Sequence, residues 1–297
     1  MTSKTIAILS PGDMGHAVGR ALRLSGHEVV TSLAGRSAHS RHLAEKGGLT
    51  DVGSLDAAVG AAEIVLAILP PEAAPKLAEA VAEAMRRIDR RPVYVDCNAI
   101  APATMRAIAA TIQAAGAPVI DVGIVGAAPG KALPTRFYAS GPDTGPIEAL
   151  AREDLLVKPL GPEIGRASAM KMVYAANTKG TFTLQAAVLL AAQMLGLDKE
   201  LRDELQFSQK DAYAAMQRMV PRIPVDAARW LGEMQEIQKT FKAAGVTPGF
   251  HEGAAWVFSL LARTPFAAET RETFDASRTL EEALAVYAQT LRGLNDG

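Results

Sequence analysis

The sequence predicts an α/β chain: a helix-covered parallel sheet in the first half, then an all-helical domain joined to it by one long helix. Three observations predict this. Short β-branched runs alternate with alanine-rich helical stretches through the first half. Those runs are apolar along their whole length rather than at every second residue, as in strands buried on both faces. From about Ala167 onward strand signals stop and helical periodicity takes over, interrupted at Pro221, Pro224, Pro248 and Pro265.

The expected strands are Thr5–Leu9, Glu28–Ser32, Ile64–Leu69, Val93–Asp96, Val119–Val122 and Arg136–Ser140. Helical patterns lie between several of them, as at Gly15–Leu24 and Glu72–Arg87. The turn-rich segment Lys158–Gly165 is the expected boundary, giving domains 1–163 and 164–297. The interdomain helix spans Ala167–Leu195 without proline and with Gly180 as its one glycine. A helix so long and apolar needs cover from other helices of its own chain or of a partner.

At 297 residues the chain suits two domains. With 49% hydrophobic and 21% charged residues it is globular in composition, which excludes disorder as its main state. Basic and acidic residues number 31 and 32, so no basic excess points to nucleic acid or an anionic membrane. Cys97 is the sole cysteine, which excludes a disulfide framework. No metal is expected, because no group of side chains has ligand spacing. The longest apolar run, Ala186–Ala192, is far short of the ~20 residues that span a bilayer, and no secretory leader is seen. The expected location is cytoplasmic.

The segment Ile6–Gly15 reads as strand, tight turn and helix. A dinucleotide fold needs the backbone to approach a pyrophosphate there, with helix N–H groups aimed at it. Gly12 is where a side chain would block that approach, and Gly15 lets helix pack on strand. Ser10 stands where the three-glycine fingerprint has its first glycine, with Pro11, Asp13 and Met14 completing the loop. NAD sites place an acid ~20 residues further on, for the ribose hydroxyls. No Asp or Glu occurs between Glu28 and Glu45; Gly35-Arg36-Ser37 stands there, followed by His39 and Arg41. A guanidinium beside a hydroxyl suits a 2′-phosphate, so NADP is expected over NAD.

These motifs, in this order, resemble the β-hydroxyacid dehydrogenase and 6-phosphogluconate dehydrogenase superfamily, in wording closest to a poorly characterised NAD(P)-dependent oxidoreductase branch. The likeness covers nearly the whole chain. It rests on Ser10–Gly15, on Ala67–Pro71, on Asp96–Thr104, on Asp121–Gly126, and on Gly165 with Lys171 six residues later. The resemblance implies a Rossmann domain, a helical domain that builds a homodimer, and hydride transfer between nicotinamide and a small hydroxy- or oxo-acid. It implies that Lys171 is the acid/base group at the substrate hydroxyl. It also places Leu69, Pro70 and Pro71 along the cofactor, with Asn98 and Ala99 flanking the nicotinamide. Val125, Gly126 and Ala127 fall where many members grip the substrate carboxylate with Ser-Gly-Gly.

Elementary chemistry supports Lys171 independently. A hydride cannot leave an alcohol carbon unless the hydroxyl proton also leaves, and an amine buried beside the cofactor can accept it. A lysine snorkelling from a helix edge is the plainer alternative. Two departures bear on the substrate: the family serine is Val125, and the asparagine usual four residues after the lysine is Ala175. Tyr174 and Lys179 share the face of Lys171; Tyr174 joins the substrate candidates, as does Glu233. Glu233 and Glu236, three apart, read more simply as a solvated face, and His251 as a capping or surface residue. Cys97 reads as a small buried apolar residue. An imine reductase has the same architecture but generally lacks the lysine. A non-catalytic NADP-binding sensor is the third alternative.

Overall fold

The apolar run Thr5–Leu9 forms strand β1 at the heart of an eight-stranded sheet in the computed structural model, which describes residues 3–295. The chain divides into two compact units, residues 1–174 and 175–297. In the first unit, β1 leads to α1 (Asp13–Leu24), β2 (Glu28–Thr31), α2 (Ala38–Gly47), β3 (Thr50–Asp51) and α3 (Leu55–Ala61). Then come β4 (Ile64–Ala67), α4 (Ala74–Ile88), β5 (Val93–Asp96), α5 (Pro102–Gln113) and β6 (Val119–Val125). The unit continues through β7 (Thr135–Ser140), α6 (Gly145–Glu148), β8 (Leu155–Pro159) and the start of α7 (Arg166–Met194).

Strand order is β3-β2-β1-β4-β5-β6-β7-β8. The order reverses between β1 and β4, and ligands of such sheets bind beyond the carboxyl ends of the strands at that point. The loops Ser10–Gly12 and Ile68–Pro70 leave the sheet there. The strands read as continuous apolar runs because helices cover both faces. Ala7, Leu9, Val65, Ala67 and Tyr94 pack with residues of α3, α4 and α5 on one side. Ile6, Ile8, Ile64, Leu66 and Val95 pack with residues of α1 and α2 on the other.

The sheet is not wholly parallel. β7 runs antiparallel to β6, with Asp121 opposite Ser140 and Val125 opposite Arg136, and β8 then pairs parallel to β7. β3 is two exposed polar residues, which carry no periodicity to read. Lys158 and Pro159, expected in a turn, end β8 instead. β4 stops at Ala67 because Leu69 N–H donates to the Asn98 side-chain oxygen at 2.7 Å, off the ladder.

The second unit is helical throughout its described residues. It holds the remainder of α7, then α8 (Asp198–Ser208), α9 (Lys210–Met219), α10 (Ile223–Ala243), α11 (Gly249–Leu261) and α12 (Leu280–Asn295). Pro221 and Pro224 fall in the first turns after α9, and Pro248 directly precedes α11, where a missing N–H costs nothing. Among the described residues no helix is long and apolar enough to cross a membrane.

Candidate functional site

The glycine loop after β1 has the form a pyrophosphate requires. α1 opens at Gly12, whose position makes no side-chain cap to the first turn, and a helix N-terminus is suited to an anion. A Cβ at Gly12 would meet nothing within 4 Å, so the space in front of the loop is open. A Cβ at Gly15 would lie 3.2 Å from the Ser10 carbonyl and 3.4 Å from the Ile8 side chain, so helix and strand meet closely there. Ser10 adopts φ +69°, the left-handed region that glycine enters freely. A serine there carries backbone strain on the order of 1–3 kcal/mol.

At the end of β2, Ser37 caps α2 by accepting from Ser40 N–H, and half-buried Arg36 precedes it. Arg41 is spent within the loop, donating to the Leu33 carbonyl at 2.7 Å. An acid missed in the sequence reading stands close by. Asp51 of β3 accepts from the N–H groups of Leu33 and Gly53, at 3.1 and 2.9 Å. Those backbone bonds hold its carboxyl below the usual range.

Leu69 and Asn98 are brought together by their hydrogen bond across the ends of β4 and β5. Asn98 is buried, and its Nδ2 has no partner. A buried amide with a spare donor at the end of β5 fits an acceptor on a bound cofactor. Pro71 begins a short 3-10 turn after Pro70, and Cys97 is buried as expected. Asp96, beneath Asn98, accepts from Asn98 N–H at 3.0 Å. Burial pushes its carboxyl up to about 7, and the charge of Asp121 on the neighbouring strand adds to the rise.

The strand β6 docks the first turns of α7. Asp121 accepts from Gly165 N–H, Ser168 N–H and the hydroxyls of Ser168 and Ser140, at 2.8, 3.1, 2.7 and 3.1 Å. Ser140 in turn accepts from Ala167 N–H at 3.0 Å. The helix start is thus capped by two strands instead of by its own preceding residue. Two positions on, a Cβ at Gly123 would sit 2.5 Å from the Ala167 carbonyl and 2.9 Å from Lys171 Cβ, so only glycine admits this contact. One position further, Lys171 Nζ donates to the Ile124 carbonyl at 2.8 Å. Val125 is buried, Gly126 follows at φ +102°, and the Ala127 carbonyl accepts from the Thr135 hydroxyl at 2.6 Å. Lys171 therefore ends at the carboxyl edge of β6, beside the expected substrate segment. Tyr174 is 38% exposed one turn further along α7.

In the helical unit, Glu233 and Glu236 are buried rather than solvated. Glu233 takes Lys179 Nζ at 2.6 Å, and Lys179 also lies over the Trp230 ring, 5.3 Å from its centroid. Glu236 pairs with Lys239 at 2.6 Å. Lys179 was visible in the sequence as a helix-face neighbour of Lys171, but its pairing across helices was not. His251 is buried rather than on the surface, its ring 4.5 Å from that of Phe241. Burial pushes its pKa down. Among the described residues no group of acidic, histidine and cysteine side chains has the form of a metal site.

Two family models match the chain: the NAD binding domain of 6-phosphogluconate dehydrogenase over residues 5–150, and a domain of unknown function, DUF1932, over residues 192–261. A 3-hydroxyisobutyrate dehydrogenase of Pseudomonas aeruginosa is 29% identical over 54% of this chain and 52% of its own. The solved structure of the conserved protein MTH1747, described as similar to 3-hydroxyacid dehydrogenases, aligns with a TM-score of 0.64 at 28% identity, over 86% of this chain and 96% of that one. The Mycobacterium tuberculosis 3-hydroxyisobutyrate dehydrogenase structure shares the fold, with a TM-score of 0.66 at 21% identity, over 98% and 100% of the two chains. With its nucleotide-type sheet, its open glycine loop and its helical second unit, the chain belongs to the β-hydroxyacid dehydrogenase and 6-phosphogluconate dehydrogenase-like superfamily of NAD(P)-dependent oxidoreductases.

Proposed function

We propose that this oxidoreductase uses NADP and acts on a small hydroxy- or oxo-acid, with Lys171 as its acid/base group. The observation that carries the reading is the placement of Lys171 Nζ, 2.8 Å from the Ile124 carbonyl at the carboxyl edge of β6. The cofactor loops leave the same edge of the sheet. Ser10–Met14 would hold the pyrophosphate on the α1 N-terminus, and Asn98 would offer its spare N–H. Gly35, Arg36 and Ser37 would hold the 2′-phosphate. Leu69, Pro70, Pro71 and Ala99 would line the ribose and nicotinamide.

The bound nicotinamide supplies the hydride acceptor or donor. In the oxidative direction the C–H bond of the carbinol breaks, its electron pair leaves as hydride, and C=O forms. The hydroxyl proton passes to the Lys171 amine, which returns it in the reverse direction. Val125 offers no hydroxyl to the substrate, and Gly126 and Ala127 would face it from the turn that follows.

Fluorescence titration of the purified protein tests the cofactor assignment. NADPH should bind at least about tenfold more tightly than NADH, and Arg36→Ala should remove most of that difference, as charge-assisted bonds to phosphate are lost. Preference for NADH would reassign the β2 end, and binding of neither would end the oxidoreductase reading.

The proposed assembly is a homodimer through the helical unit. Asn177, Thr181, Leu184, Val188 and Ala191 are exposed at steps of four and three along α7, the spacing of a helix seam. Sedimentation velocity should give twice the chain mass; a monomer at micromolar concentration would remove this part.

A further inference from the structure

Arg136, the second residue of β7, stands directly opposite Val125, the position that lacks the family's serine. Strand alternation puts Asp121, Gly123 and Val125 on one face of β6, and their partners Ser140, Tyr138 and Arg136 on the same face of β7. That face receives α7, since Gly123 meets Ala167 and Lys171. Arg136 therefore shares both the sheet face and the sheet edge of Lys171. Its guanidinium lies against Gly126: a Cβ there would be 3.1 Å from both Nη1 and Nη2. Nη1 donates to the Pro134 carbonyl at 2.9 Å. Among the described residues no carboxylate pairs with Arg136, and the side chain is only partly exposed. A half-buried cation without a counter-charge is costly to keep and favours an anionic ligand.

The spacing matches a short acid. The Ile124 carbonyl that holds Lys171 lies two residues before Gly126, the glycine under Arg136, and two residues of chain span at most ~7 Å. One cation would stand at each end of a small substrate. A guanidinium fork binds a carboxylate by two parallel N–H···O bonds, which a serine hydroxyl cannot do.

We propose that Arg136 is the specificity-determining residue that takes the substrate carboxylate, in place of the hydroxyl missing at Val125. This rests on the reading that Lys171 serves the hydroxyl or carbonyl end of the same substrate. The proposal confines the substrate to carboxylates and excludes neutral imines and ketones as preferred ligands.

The test uses malonate as a carboxylate probe on the NADPH-loaded protein, by calorimetric titration. Wild type should bind it, Arg136→Gln should weaken it about 10- to 100-fold, and Arg136→Lys should fall between them. NADPH affinity and melting temperature should stay at wild-type values in both variants. Dimethyl malonate, which has the same shape without the charge, should bind wild type and Arg136→Gln alike. A purely structural role for Arg136 would weaken both probes equally and overturn the proposal, as would a wild type that does not bind malonate. The two readings separate cleanly. If Lys171→Met turns over normally while Arg136→Gln loses malonate, the acid/base role falls and Arg136 stands. If Arg136→Gln binds malonate as wild type does, the proposal falls whatever Lys171→Met shows.

Discussion

Asp121→Ala should lower stability by about 2–4 kcal/mol, because two N–H groups at the start of α7 would be left buried without an acceptor. Gly165 and Ser168 both give their N–H to this one carboxylate, while the hydroxyls of Ser140 and Ser168 can turn elsewhere. The cost is partly offset. Burying a carboxylate is itself unfavourable, and burial raises the Asp121 carboxyl above its ordinary value despite the bonds it accepts. A raised pKa means that the folded state holds the proton more tightly than the unfolded chain. The contribution of Asp121 is then largest at low pH and declines as pH rises from the ordinary carboxylate range through the raised value. The gap between wild type and Asp121→Ala should therefore be wider at pH 5 than at pH 8. Asp121→Asn, which keeps one acceptor oxygen and can donate to Ser168, should cost only about 1 kcal/mol. Thermal unfolding of the three proteins at both pH values decides this. A melting temperature of Asp121→Ala within a degree of wild type would mean that α7 does not depend on this cap.

The cap also marks where sequence reading ends. β1 and β4 are legible because both faces of each are buried, so Ile6–Leu9 and Ile64–Ala67 are apolar without interruption. The glycine loop is legible because its demands are local: a bend, a close approach, a free helix start. The Asp121 cluster has no such local signature. Its members are 19 and 47 residues apart, and each is an ordinary polar residue in its own segment. The reversal of β7 is set by the same long-range pairing, since nothing in Thr135–Ser140 distinguishes an antiparallel strand from a parallel one. Arg136 reads as a polar residue on a strand until Gly126 is seen beneath it. Glu236 and His251 look like surface positions because their neighbours on other helices, which bury them, cannot be counted from the sequence. Lys171 is conspicuous in the sequence because it stands on an apolar helix. What the fold adds is the carbonyl that holds it and the two strands that hold its helix.

Lys171→Met should reduce turnover by roughly 10²–10⁴-fold while changing NADPH affinity less than about threefold, the signature of a lost proton-transfer group. Lys171 is held at the edge of the sheet by β6, so removing its amine leaves the glycine loop and Asn98 untouched. Loss of the amine should therefore appear in kcat rather than in cofactor binding. Lys171→Arg separates chemistry from charge. A guanidinium keeps the positive charge but cannot give up its proton near neutral pH, so the variant should be nearly as slow as Lys171→Met. If the amine only anchored a substrate anion, arginine would restore activity and the loss would lie in KM. The pH profile supplies the third readout. Oxidation needs Lys171 unprotonated, so wild-type kcat/KM for a hydroxy acid should rise with pH through one ionisation that Lys171→Met lacks. The assay is NADPH oxidation over a panel of short oxo-acids, followed by the reverse reaction on the best product. A Lys171→Met protein that keeps more than a tenth of wild-type kcat would reduce Lys171 to a helix lysine that snorkels to a carbonyl, and the proton would have to be taken by another group.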